Sequence, residues 1–201
     1  AAGVLQFEDA VSLVRQRGQF MQTAVPLGQG GMAAILGLED DQVKAICAAS
    51  SDDSSQVQAA NFNAPGQVVI AGGNAALERA VDACKEAGAR RAMPLAVSAP
   101  FHSAMMAPAA DEMEAALADV KFNEPEIAVI QNVDAEYEQD ADRIRENLVR
   151  QMCGAVLWTD TVTRMAADGV DRVVECGPGK VLSGLNKRIN RELTSLALGS
   201  V

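Results

Sequence analysis

The chain holds a single histidine, His102, inside Val97-Ser98-Ala99-Pro100-Phe101-His102-Ser103, after an apolar run (Met93 to Val97) and before a helix-like run (Ala104 to Val120). Imidazole has an unperturbed pKa of about 6.5, so it can both take and return a proton near neutral pH. A turn between a strand and a helix is a common place to present such a group. On position alone, a lone loop histidine is more often an ordinary surface residue. Two other stretches invite the same question. Gly177-Pro178-Gly179-Lys180 places glycines ahead of a helix, where free backbone N–H groups favour anions. It lacks the spacing and the Lys-Ser/Thr ending of a nucleotide-binding loop, and by itself reads as a turn. Glu175 ends an apolar strand, where either chemistry or an ion pair with a neighbouring helix would explain it. No serine sits in a Gly-x-Ser-x-Gly nucleophile elbow.

Composition narrows the function classes. At 201 residues, the chain is long enough for one sizeable core or two small ones. A net charge of −10 and an aromatic content of 3% argue against a broad nucleic-acid or anionic-lipid surface and offer no stacking platform for bases. The four cysteines, Cys47, Cys84, Cys153 and Cys176, form no Cys-x-x-Cys pair and have one histidine between them. That pattern argues against a metal site and fits reduced thiols in a cytoplasm. The apolar runs are too short and interrupted to cross a bilayer. The start lacks both a basic signal region and an initiating Met, which suggests a processed or truncated beginning.

The elements that must position His102 follow from periodicity. Residues 8 to 24 form an amphipathic helix, with Arg17 among its polar residues and Gly18 in mid-helix, where glycine costs about 1 kcal/mol and often marks close packing. Arg17 by itself is more often a solvated charge than a ligand. The next elements are a strand at 32–38, a helix at 39–49, and strands at 56–62 and 67–71 joined by an Asn63-Ala64-Pro65-Gly66 turn. A helix from Asn74 to about Ala87 and a strand from Arg90 to Val97 complete the order βαββαβ, the ferredoxin-like unit. After His102, helices at 104–120, 140–152, 159–168 and 181–189 alternate with strands at 127–132, 170–176 and 193–198, the pattern of a parallel sheet with crossover helices.

Taken together, several phrases resemble the malonyl-CoA:acyl carrier protein transacylase family of bacterial type II fatty acid synthesis. They are Arg15-Gln16-Arg17-Gly18-Gln19-Phe20-Met21, Gly31-Met32-Ala33-Ala34-Ile35, the run Asn61-Phe62-Asn63-Ala64-Pro65-Gly66 continuing through Gly72, Phe101-His102-Ser103, Leu148-Val149-Arg150-Gln151, and Glu175-Cys176-Gly177-Pro178-Gly179-Lys180-Val181-Leu182. They run in family order over essentially the whole chain. The resemblance implies an α/β fold: a hydrolase-like α/β subdomain over residues 1–25 and 95–201, partial because the family's N-terminal segment is absent, with an inserted ferredoxin-like subdomain over residues 26–94. The absent segment would carry the Gly-His-Ser-x-Gly elbow and its acyl-accepting serine.

The resemblance also implies roles. His102 is the general base, and the main-chain carbonyl of Gln151 orients its imidazole. Arg17 clamps the malonyl carboxylate. Phe101 disfavours a methyl on the malonyl α-carbon. Asn61 and Asn63 lie on a polar loop near the coenzyme A or pantetheine path, although both also suit turn residues holding the Pro65-Gly66 bend. Arg90 with Arg91, and Lys187 with Arg188 and Arg191, are the close basic groups left to dock an acidic carrier protein. No cofactor is expected, coenzyme A thioester being the substrate. The expected partners are malonyl-CoA, acyl carrier protein and the absent segment, with neither nucleic acid nor membrane. Two alternatives remain, a non-catalytic fragment and the acyltransferase domain of a polyketide synthase.

Overall fold

In the computed structural model, which describes residues 1–199, helix α1 (Phe7–Thr23) opens the chain. Its Leu13 and Met21, eight residues apart, fall on one stripe and are buried in a helical cluster with Met106, Met113, Leu117 and Met152. Next come β1 (Gly30–Leu36), α2 (Asp40–Ser50), β2 (Val57–Ala64), β3 (Gln67–Gly73), α3 (Asn74–Glu86) and β4 (Arg91–Pro94). The strands form one antiparallel sheet in the order β2-β3-β1-β4, the split βαβ arrangement that the element order implies. Alternation assigns its faces. Ala33, Ile35, Val68 and Ile70 point toward α2 and α3, where Val43, Ala80 and Cys84 complete a fully buried core. Met32, Val69 and Ala71 point the other way and, with Ala60, pack against Phe101.

Among the boundaries that differ from the sequence reading, two bear on the site. β2 runs on through Asn63 to Ala64, so the hairpin turn is only Pro65-Gly66, with Gly66 at φ +66. Asn61 and Asn63 are therefore strand residues, not turn residues. β4 stops at Pro94. The Leu95 N–H still reaches Met32 O at 2.9 Å, but Val97 N–H folds back to Leu95 O, and the chain leaves the sheet toward His102.

Beyond His102 the chain makes one 3-10 turn (Ala104–Met106) and then α4 (Ala107–Ala118), β5 (Val129–Ile130), β6 (Tyr137–Glu138), α5 (Ala141–Cys153), α6 (Trp158–Ala167), β7 (Arg172–Pro178), α7 (Val181–Ile189) and β8 (Thr194–Gly199). The strand expected at 127–132 shrinks to β5, which pairs with β6 inside what reads as a polar link. A ladder two residues long has no alternation to detect. Among the described residues, the expected parallel sheet amounts to one pair, β7 with β8, crossed over by α7. Val174, Leu196 and Leu198 on that pair, and Phe7, Val11 and Val14 along α1, are exposed large apolar residues. Parallel strands are normally covered on both faces, and a two-stranded ribbon is marginal by itself. Among the described residues, no helix is long and apolar enough to cross a membrane.

Gly18 departs from expectation as well. A Cβ at this position would meet no atom within 4 Å, so close packing does not require it. Gly18→Ala should therefore stabilise α1 by about 0.5–1 kcal/mol, read as a higher urea midpoint at unchanged m-value.

Candidate active site

His102 adopts φ +57, a left-handed conformation that costs a non-glycine residue about 1–2 kcal/mol, and the turn around it is correspondingly well held. Ser103, itself buried, donates its hydroxyl to Pro100 O at 2.7 Å. Gln58, on β2, donates to His102 O at 3.2 Å and to Cys153 O at 3.3 Å, and its Oε1 accepts the Ala104 N–H at 3.1 Å. On the other side of the turn, His102 Nδ1 lies 3.0 Å from Gln151 O. A carbonyl can only accept, so Nδ1 carries the hydrogen and Nε2 is left as the basic nitrogen.

The end of α5 explains why that carbonyl is free. Gly154 is extended, and its N–H returns to Arg150 O at 2.8 Å, so the helix stops and Gln151 O receives no helical N–H. The Gln151 side chain is separately held by Asn132 Oδ1. The acceptor is thus one of the orphan carbonyls at a helix C-terminus, where the macrodipole is negative. That end of the helix helps to stabilise an imidazolium, which a lone neutral acceptor would do less well. Burial holds the His102 pKa below its ordinary value, the bond to Gln151 opposes that, and the nearby Arg17 charge lowers it further. At pH 7 the resting imidazole is therefore neutral, the form that accepts a proton.

Arg17 projects from α1 into this region. Burial lowers its pKa, and among the described residues its guanidinium has no side-chain hydrogen bond or ion pair. A desolvated cation without an anion is an unfavourable arrangement that an incoming carboxylate would relieve. The helix is tied to the His102 turn by Ser98 Oγ, which donates to Gln22 Oε1 at 3.0 Å. Phe101 packs at the junction between the helical cluster and the sheet face of Met32 and Ala71. The structure therefore brings Arg17, Phe101, His102 and Gln151 to one place.

The other candidates fall elsewhere. Asn61 bridges to Val156, and the flanking Ala60 O and Phe62 N–H bond Val156 at 2.8 and 2.9 Å. Among the described residues, neither the Asn61 nor the Asn63 side chain makes a hydrogen bond. A cavity of about 690 Å³ borders the turn through Ser103 and Met105 and is also lined by Gln29, Gln56, Gln58 and Asn74. It does not include His102, Arg17 or Gln151. Arg90 and Arg91 lie at the far end of β1: Leu36 faces Arg91 on one side and Gln67 on the other, and Arg188 of α7 donates to the Gln67 side chain. Lys187 is exposed beside Arg188.

Glu175 is accounted for structurally. Its carboxylate accepts the N–H groups of Leu182 and Ser183, at 3.1 and 2.8 Å, and the Ser183 hydroxyl at 2.7 Å. These bonds hold its pKa below the usual carboxylate range. They also fill the anion-binding start of α7, so Gly177-Pro178-Gly179-Lys180 presents no vacant phosphate cradle. Gln58 and Asn132 escape a reading of the sequence alone. The partners of Gln58 lie 44, 46 and 95 residues away, and no local spacing marks them.

A half-buried imidazole oriented by a carbonyl, beside a guanidinium that has no partner among the described residues, thus stands on an α/β scaffold. The chain belongs to the acyl transferase domain family, which matches residues 1–194. The malonyl CoA-acyl carrier protein transacylase of Escherichia coli (strain K12) is 53% identical over 197 residues, covering 98% of this chain and 63% of that protein. The protein of the same name from Bacillus subtilis (strain 168) is 43% identical over 198 residues, covering 98% and 62%. Among solved structures, an acyl carrier protein S-malonyltransferase from Vibrio cholerae O1 superposes with a TM-score of 0.96 at 52% identity, over 100% of this chain and 65% of that one. A malonyl-transacylase in complex with a type II PKS acyl-carrier protein superposes at 0.95 with 48% identity, over 100% and 64%. The chain thus spans just under two thirds of the length of these relatives.

Proposed function

We propose that this chain is the larger part of an enzyme that transfers a malonyl group from malonyl-CoA to the phosphopantetheine thiol of an acyl carrier protein. The observation that carries this reading is the Arg17 guanidinium, without a partner among the described residues, beside an imidazole whose Nδ1 faces the Gln151 carbonyl. The nucleophile is a serine from chain outside these 201 residues, which would also cover the exposed apolar faces of α1 and the β7–β8 pair. Nε2 of His102 takes the serine proton as Oγ bonds to the thioester carbon. The carbon–sulfur bond then breaks, and the proton passes to the departing coenzyme A thiol. The reverse sequence, with the carrier thiol as attacker, releases the acyl group. Gln151 O steadies the imidazolium formed between these steps. Arg17 holds the malonyl carboxylate through a planar fork of donors, and Phe101 narrows the site against a methyl branch. Asn61 and Asn63 line the approach of the pantetheine arm. The reaction needs no cofactor and is placed in the cytoplasm. Residues 26–94 act as an inserted subdomain within the hydrolase-like remainder, residues 1–25 and 95–201.

The carrier protein docks through Arg90, Arg91, Lys187 and Arg188, supported by the shared position of three of these arginines around Leu36 and Gln67. In the full-length protein, Arg91→Glu with Lys187→Glu should lower kcat/KM for carrier protein about 10-fold or more at low salt and leave transfer to free pantetheine unchanged. Equal losses with both acceptors would place the effect in the site and remove the docking role. Absence of any malonyl transfer by the unsubstituted full-length protein would refute the function itself.

A further inference from the structure

We propose that Gln58 is a positioning residue, whose side-chain amide clamps the His102 turn to the end of α5 and so fixes the imidazole in the Nδ1–H form with Nε2 free. This inference rests on the reading of His102 as the proton acceptor. Gln58 belongs to the sheet subdomain, whereas the groups it joins belong to the helical part: His102 O and Ala104 N–H on one side, and Cys153 O on the other. Cys153 is two residues beyond Gln151, whose carbonyl holds Nδ1. One amide therefore ties the backbone of the residue that bears the ring, itself in the left-handed conformation, to the helix end that bears the ring's acceptor. The geometry uses both donor hydrogens of the amide, one to each carbonyl, and one of its oxygen's two acceptor sites, for an N–H. Glutamate could accept but, when ionised, could donate to neither carbonyl. Methionine would fill the space and supply no hydrogen bonds.

In the full-length enzyme the ring nitrogens of His102 can be followed by NMR, with the His102→Ala variant identifying their resonances. In the unsubstituted enzyme, above the His102 pKa, the nitrogen shifts should report predominantly Nδ1–H. Free imidazole side chains favour the opposite tautomer, so the signal is distinctive. In Gln58→Met, with amide dispersion and thermal midpoint close to the parent, the shifts should move toward a mixture, and exchange of the Nδ1 proton with water should rise at least about 10-fold. Gln58→Glu at neutral pH should resemble Gln58→Met, because the lost donors are the ones that reach the carbonyls. In the full-length enzyme, Gln58→Met should lower kcat with little change in KM for the acyl donor. An unchanged tautomer and unchanged exchange in Gln58→Met would overturn the proposal while leaving the function of His102 standing. Failure of the parent itself to show Nδ1–H would count against the base assignment instead.

Discussion

His102→Ala in the full-length protein is expected to lower kcat/KM for malonyl transfer by about 10³-fold or more, because removing a positioned general base typically costs 10²–10⁴-fold. Binding of malonyl-CoA should survive, since the imidazole supplies proton transfer and little of the contact with substrate. The pH profile of the parent carries the sign. Burial and the neighbouring Arg17 charge hold the His102 pKa below its ordinary value. The acid limb of kcat/KM should therefore fall only below the ordinary histidine range, leaving full activity at pH 7. The same shift makes a contribution to stability that is fully present above the unfolded pKa of about 6.5. That contribution is lost as pH falls through the folded value, because the unfolded chain then binds the proton first. Stopped-flow acylation across pH 5 to 8, alongside urea midpoints over the same range, measures both limbs. A profile centred above 6.5 would contradict the environment described for the ring.

Arg17→Ala is expected to remove the preference for malonyl over acetyl donors. Two charge-assisted hydrogen bonds to a carboxylate are together worth about 3–4 kcal/mol, so malonyl kcat/KM should drop by about 10²–10³-fold. Acetyl transfer should be unchanged or faster. Arg17→Lys should recover little, since an ammonium cannot meet a planar carboxylate with two parallel bonds. Stability should move the other way. The guanidinium is desolvated and unpaired among the described residues, so Arg17→Met, which keeps the stem and removes the charge, should be neutral or raise stability by about 1 kcal/mol. A loss of both malonyl preference and folding stability would mean that Arg17 is a structural cation whose partner lies elsewhere.

Much of this was legible in the residues. The βαββαβ order is legible because β1 and β3 are apolar runs whose residues pack alternately into two clusters and α2 and α3 each bury one apolar stripe, and the sheet order follows from it. The turn carrying His102 is also visible, since Pro100 and a change of period announce it. What stayed hidden depends on backbone geometry or long-range partners. The reach of β2 to Ala64 is decided by pairing with β3, including irregular register near Asn61 and Phe62, which no local preference encodes. Glu175 looks like a candidate acid until its carboxylate is seen to cap α7. The helix end at Gly154 changes the value of the Gln151 carbonyl from a neutral acceptor to the negative pole of α5, and sequence shows only where the helix stops.

The most direct measurement is the ring NMR of His102 during titration with malonate, in the full-length protein and in its Arg17→Met variant, with His102→Ala identifying the resonances. If Arg17 and His102 face one acyl site, malonate should shift the imidazole resonances and raise the His102 pKa, because the bound anion offsets the guanidinium charge. Arg17→Met should abolish that response at the same malonate concentrations. Malonate that binds at Arg17 while leaving the imidazole signals unmoved, or an equal response in Arg17→Met, would show that the two groups do not share a substrate.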